Sequence, residues 1–150
     1  MSKGLTSQYY HSLDAKGRVI MPAKFRERLG DKIWITKGMD KGCLSVYPND
    51  EWEVIENKFQ ETPVLTNKAA RELRRFIFSN ADDRDIDKQG RVLIPPILRE
   101  YAGLENEVVL VGMSNHIEIW SKDCFEKQDK AAYKDIDELT EHLEEFGINI

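Results

Sequence analysis

Two short stretches carry the residue types in this chain best suited to hold a polyanion: Asp14-Ala-Lys-Gly-Arg18 and Asp87-Lys-Gln-Gly-Arg91. Arg18 and Arg91 offer planar forks that match a guanine edge or a phosphate. Lys16 and Lys88 offer mobile point charges suited to phosphate. In each stretch Asp14 or Asp87 can cap a turn through its side chain, and Gly17 or Gly90 can supply the positive φ that tightens it. Two readings follow. Asp14–Arg18 and Asp87–Arg91 can staple their own turns, or the arginines can contact nucleic acid. Both hold if the Asp orients an Arg that also touches DNA. The run Asp82-Asp83-Arg84-Asp85 sets acids beside the second stretch, and Arg84 offsets part of their charge.

Little else in the chain suggests chemistry. Cys43 and Cys124 lie 81 residues apart, and His11, His116 and His142 are scattered, so no metal-ligand spacing is present. Two thiols in a chain with no export signal are expected to be reduced and partly buried. There is no GxSxG, Walker-type loop, HExxH or GxGxxG. The expectation is a non-enzyme with no cofactor, no metal and no small-molecule substrate. Arg26-Glu27-Arg28 and Arg99-Glu100 read as solvated helix faces or helix pairs. Arg71, Arg74 and Arg75 form a basic edge suited to phosphate or to an acidic helix of a neighbour. Tyr9, Tyr10 and His11 read as strand packing, and Lys3 as a mobile terminal charge.

The elements that must position the two stretches repeat. Asp14 to Gly30 and Asp87 to Gly103 align at a constant offset, with eight of seventeen positions identical. Each unit reads as a turn, a short β-rich stretch (Arg18 to Met21, Arg91 to Ile94) and a short helix opened at Pro22 or Pro95 and stopped at Gly30 or Gly103. Phe25 with Leu29, and Leu98 with Ala102, mark the inward helix faces. Two further strands follow, Ile33 to Thr36 and Cys43 to Tyr47, matched by Val108 to Val111 and His116 to Trp120. A unit of about 45 residues buries too little apolar surface to stand alone. The two should share one core about a pseudo-two-fold axis, as a small closed or interleaved barrel of α+β, mainly β, class.

The expected division is repeat 1 over 8–50, a helical linker over 51–78, repeat 2 over 79–122 and an acidic C-terminal helix over 123–150. In the linker Trp52, Ile55 and Phe59 keep helical spacing and Pro63 breaks it. Thr66 or Asn67 then caps a second helix with Ala69, Ala70, Leu73, Phe76 and Ile77 inward. In the last segment Ile136, Leu139, Leu143 and Phe146 form one apolar stripe, which needs a partner surface on its own chain or on another subunit.

The chain has 150 residues and a net charge of −5, which argues against nucleic acid at first sight. The charge is uneven. Residues 1–50 carry nine bases against five acids, while residues 101–150 carry four against twelve. Fields are local at a Debye length of about 8 Å, so the total says little about the first turn. No apolar run approaches the roughly 18 residues of a membrane span, and the start lacks a signal-peptide core. A cytoplasmic protein with no membrane partner is expected.

Tyr10-His-Ser-Leu-Asp-Ala-Lys-Gly-Arg18, Pro22-Ala-Lys-Phe-Arg-Glu27, Asp87-Lys-Gln-Gly-Arg91 and Pro95-Pro-Ile-Leu-Arg-Glu100 together resemble the MraZ family of bacterial transcriptional regulators, in the broader AbrB/SpoVT-like group. The resemblance runs from about residue 5 to the last helix. It implies a tandem-repeat, swapped-hairpin AbrB-like barrel with added helices and a ring-shaped, octamer-like homo-oligomer associated with the nucleoid. It also implies binding to double-stranded DNA at short direct repeats, usually as a repressor of the protein's own division and cell-wall operon. The family's DNA-facing residues map to Lys16 and Arg18, and to Arg91 with Lys88 as neighbour; Asp14, Gly17, Asp87 and Gly90 support the turns. The chain departs from the family in carrying Ser7 where a Gly is frequent. Within the chain, Gln89 stands where the first motif has Lys16, so the half-sites are not chemically equal. The alternative is an antitoxin-like or scaffold module working through the acidic C-terminal helix.

Overall fold

A computed structural model describes residues 4–61 and 65–148. Lys3 and Pro63 lie outside the described residues. In chain order the first half runs β1 (Gln8–Ser12), β2 (Arg18–Ile20), α1 (Ala23–Leu29), β3 (Lys32–Lys37) and β4 (Cys43–Pro48), followed by α2 (Asn49–Glu61) and α3 (Lys68–Phe78). The second half runs β5 (Asp82–Asp85), β6 (Arg91–Leu93), α4 (Pro96–Ala102), β7 (Glu107–Gly112) and β8 (Ile117–Ser121), followed by α5 (Lys122–Lys134) and α6 (Ile136–Glu145).

The halves interleave. Six strands form one sheet in the order β1-β7-β8-β4-β3-β5, and β2 pairs with β6 in a separate ribbon. Exchanging each strand for its repeat partner reverses that order onto itself, which is the signature of the pseudo-two-fold axis. The sheet ends on β1 and β5, which do not pair with each other, so the barrel is interleaved rather than closed. The α+β, mainly β, class is as expected. Each half also has a strand ahead of its turn. β5 was not expected, because Asp82-Asp83-Arg84-Asp85 has no β propensity of its own; its register on β3, from Lys32 opposite Asp85 to Ile35 opposite Asp82, makes it a strand.

One core serves both halves. Val19, Phe25 and Leu29 of the first meet Val92, Leu98 and Ala102 of the second, all buried, together with Ile35, Leu44, Leu110 and Ile119. Burying a side chain of this size contributes about 1.5–3 kcal/mol. Pro22 and Pro95 stand just ahead of α1 and α4, where a missing N–H costs no helical hydrogen bond. On the outside of β3 and β4, α2 and α3 form a lid. Trp52 stacks on Trp34 at 5.2 Å, and Phe78 meets Trp52 edge-on at 5.3 Å. Asn67 caps α3 by accepting from the Ala70 N–H at 3.0 Å.

The N-terminal arm is tied to the end of β7. Leu5 N–H donates to the Ser114 carbonyl, and Gly112 N–H donates to the Ser7 carbonyl, each at 2.8 Å. Ser7 takes φ 79 there, the left-handed conformation that glycine adopts without strain.

The acidic terminus is two helices, not one. Asp135, at φ −107 and ψ 17, ends α5 and starts α6. Most of the stripe is left uncovered by its own chain: Ile136 is 54% exposed, Leu139 44% and Phe146 80%, while Leu143 is half-buried.

Candidate nucleic-acid interface

The two Asp-x-x-Gly-Arg segments form turns of the same construction. Asp14 Oδ1 accepts from the backbone N–H of Lys16 and of Arg18, each at 2.9 Å, and Oδ2 accepts from Arg18 Nε at 2.6 Å. Asp87 Oδ1 accepts from the N–H of Gln89 at 2.9 Å and of Arg91 at 2.8 Å, and Oδ2 accepts from Arg91 Nε at 2.9 Å. Gly17 N–H closes onto the Asp14 carbonyl, and Gly90 N–H onto that of Asp87, with φ of 85 and 81. The stapling reading is therefore realised in both turns. It leaves the contact reading open, because each staple uses only Nε. Among the described residues, the terminal nitrogens of neither fork hydrogen-bond to protein.

The carboxylates report the same arrangement. Hydrogen bonding from the Arg18 backbone N–H holds the Asp14 carboxyl below its usual 3.8, with the Arg18 guanidinium adding to the effect. Arg91 does the same for Asp87.

The ribbon brings the two turns together. β2 and β6 run antiparallel, with Arg18 opposite Leu93, Val19 opposite Val92 and Ile20 opposite Arg91. Side chains alternate along a strand, so Val19 and Val92 point into the core at 1% exposure. Arg18, Ile20, Arg91 and Leu93 share the outer face. Lys16 and Lys88 are both exposed at the turns, but Lys88 occupies the position equivalent to Ala15, and Gln89 that of Lys16.

Each turn is also held from the opposite half. Met21 N–H donates to the Gly90 carbonyl at 2.7 Å, and Ile94 N–H donates to the Gly17 carbonyl at 3.1 Å. The Arg99 guanidinium lies over Gly17, where a Cβ would sit 2.5 Å from Arg99 Cζ. The Arg26 guanidinium lies over Gly90, where a Cβ would sit 2.9 Å from Arg26 Nη1. The positive φ favours glycine at both places, and a Cβ there would push the overlying guanidinium aside.

Arg26 and Arg99 are thus not solvated helix faces, and sequence reasoning missed them as parts of the turns. The signal was present: they are one of the eight identities between the repeats. Arg28 is likewise no simple surface charge, since its two terminal nitrogens bind Asp50 at 3.0 and 3.1 Å.

The surroundings of the second turn are acidic but largely paired. Arg84 meets Asp82 at 2.7 Å, and Lys32 reaches Asp83 at 3.4 Å and Asp85 at 4.0 Å. Among the described residues no group of His, Cys, Asp and Glu could hold a metal, and no helix is long and apolar enough to cross a membrane.

Residues 5–76 and 77–145 each match the family described as "MraZ protein, putative antitoxin-like". The chain is 49% identical over 144 residues to a protein of Caldanaerobacter subterraneus subsp. tengcongensis, covering 96% of this chain and 99% of that one. It is 46% identical over 142 residues to a protein of Lachnoclostridium phytofermentans, covering 95% and 96%. It is 48% identical over 141 residues to a protein of Ligilactobacillus salivarius, covering 94% and 97%. All three bear the name Transcriptional regulator MraZ. Two tandem matches to one family, on a chain whose two halves build the same turn, show that this protein belongs to the MraZ family.

Proposed function

We propose that this chain is a sequence-specific DNA-binding transcriptional regulator. The observation that carries the reading is the pair of stapled guanidiniums, Arg18 and Arg91, on the outer face of one two-stranded ribbon. A ribbon of this kind fits the major groove of B-DNA, and an Arg fork fits guanine O6/N7 or a phosphate. Residues 8–50 and 79–122 each supply one half-site, Lys16 and Lys88 add phosphate contacts, and 51–78 and 123–150 are helical additions. The target is a set of short direct repeats upstream of its own division and cell-wall operon, which it represses from the nucleoid. It acts there as a ring-shaped, octamer-like oligomer. The exposed apolar stripe of α6 supports contact between subunits, and the acidic helices point away from the DNA.

A gel-shift titration against the gene's own upstream DNA tests this, with Arg18→Ala alongside and a melting curve for each protein. The expected result is retention by the wild type, weakened by about 1–3 kcal/mol in a variant that still melts cooperatively. Normal operator binding by Arg18→Ala overturns the assignment of that residue, and an unfolded variant reduces it to a structural staple. The exposed stripe also favours a second reading, a partner-binding module. Truncation after Lys134 separates the two: loss of oligomer size makes α6 a subunit contact, and loss of another partner with DNA binding intact supports the module.

A further inference from the structure

The outer face of the ribbon holds more than two arginines. Ile20 is 49% exposed and Leu93 36% exposed, although each sits in mid-structure beside a valine that is 1% exposed. The register sets Ile20 opposite Arg91 and Leu93 opposite Arg18, so the two aliphatic side chains lie on one diagonal of the face and the two guanidiniums on the other. Each guanidinium is fixed by its staple, with the arginine side chains 26% and 31% exposed. The core does not require these aliphatic groups, because alternation directs them away from it. The same pattern appears in both repeats: Arg18-Val-Ile20 and Arg91-Val-Leu93.

A polyanion alone would not call for branched aliphatic groups between two arginines. In the major groove the base edges offer hydrogen-bond donors and acceptors, and one apolar feature, the C5-methyl group of thymine. The diagonal arrangement matches a base edge on which an acceptor and a methyl group alternate. We infer that Ile20 and Leu93 are specificity-determining residues that contact thymine methyl groups, while Arg18 and Arg91 take the neighbouring guanine or phosphate acceptors. This rests on the DNA-binding function proposed above and adds the base that the ribbon prefers.

The test uses the full chain and its own upstream DNA, amplified once with thymidine and once with deoxyuridine triphosphate, so that the second duplex lacks the methyl groups alone. The wild type is expected to bind the uracil duplex more weakly by about fourfold for each contacted methyl. Ile20→Ala combined with Leu93→Ala is expected to bind both duplexes equally, at the level of the wild type on uracil. A melting curve confirms that the variant is folded.

Equal binding of both duplexes by the wild type overturns the inference and leaves the DNA-binding function standing. A variant that still prefers thymine also overturns it, since the preference then comes from duplex shape. A wild type that binds neither duplex refutes the DNA-binding function itself, and the inference with it.

Discussion

The turn at Asp14–Arg18 and the turn at Asp87–Arg91 have the same hydrogen bonds and nearly the same distances, yet they sit in different surroundings. The first has Lys16 at its third position and β1, with no acidic residue, as the strand before it. The second has Gln89 at that position and β5, with three aspartates, before it. The clamps differ as well. Arg99, over the first turn, donates from Nε to the Ile94 carbonyl at 3.0 Å, whereas Arg26, over the second, keeps a buried Nε with no partner. Five residues and an arginine from the opposite half set the geometry of the turn. The variable positions within the motif and the strand ahead of it set its charge. Shape and field are therefore encoded separately, and substitutions can move one without the other.

The largest expected effects test whether the halves are one cooperative body. Phe25 and Leu98 are equivalent in the repeats and fully buried. Phe25→Ala should cost about 3–5 kcal/mol and Leu98→Ala about 2–5 kcal/mol, each with a single transition in denaturant. Separate transitions for the two halves would break the idea of a shared core. Next come the arginines. Arg18→Ala and Arg91→Ala should each weaken operator binding by about 1–3 kcal/mol, with Arg18→Ala the more damaging because its surroundings favour an anion. Equal losses by titration would show that the surrounding charge is irrelevant.

A third comparison concerns the arm. Ser7→Gly should raise stability by about 1 kcal/mol by relieving a left-handed serine. Asn80, its equivalent in the second half, is not at positive φ, so Asn80→Gly should bring no gain in melting temperature. Smaller still is the salt dependence. Lys16→Gln should flatten the log–log slope of operator binding by about 0.9, and Gln89→Lys should steepen it by as much. The smallest effect is acid sensitivity, which the turns should share. Both carboxyls are held below 3.8 in the folded state, so the stabilisation from the staples is present above 3.8 and is lost as pH falls through the lower folded values. NMR of the Arg18 and Arg91 Nε–H signals should show both staples intact at pH 4 and opening together below it.

Local rules made the turns legible. Asp14, Gly17 and Pro22 act within a few residues of themselves, as do their counterparts, so residue type and spacing were enough to place turn, ribbon strand and helix. The inward pairs Phe25–Leu29 and Leu98–Ala102 were legible for the same reason. Features that depend on distant partners were not. β5 is a strand only because β3 supplies its hydrogen bonds. Arg26 and Arg99 look like surface charges until the other repeat brings Gly90 and Gly17 beneath them. The break at Asp135 carries no proline or glycine to mark it. The stripe on α6 was legible as apolar spacing, but its exposure depended on where the rest of the chain left room.

Interleaving has a consequence for how the protein is made. β2 and β1 find their partners in β6 and β7, more than seventy residues further along the chain. At ribosomal rates of about 5–20 residues per second, the first half waits roughly 4–15 seconds with those strand edges unpaired. During that interval the nascent chain has no complete core of its own, and its exposed Val19 and Phe25 are available to any chaperone or to the same segment of a neighbouring nascent chain. On a crowded polysome, a first half that pairs with the second half of another copy satisfies every hydrogen bond of the native ribbon. The timing of synthesis, as much as the final contacts, decides whether these strands close within one molecule.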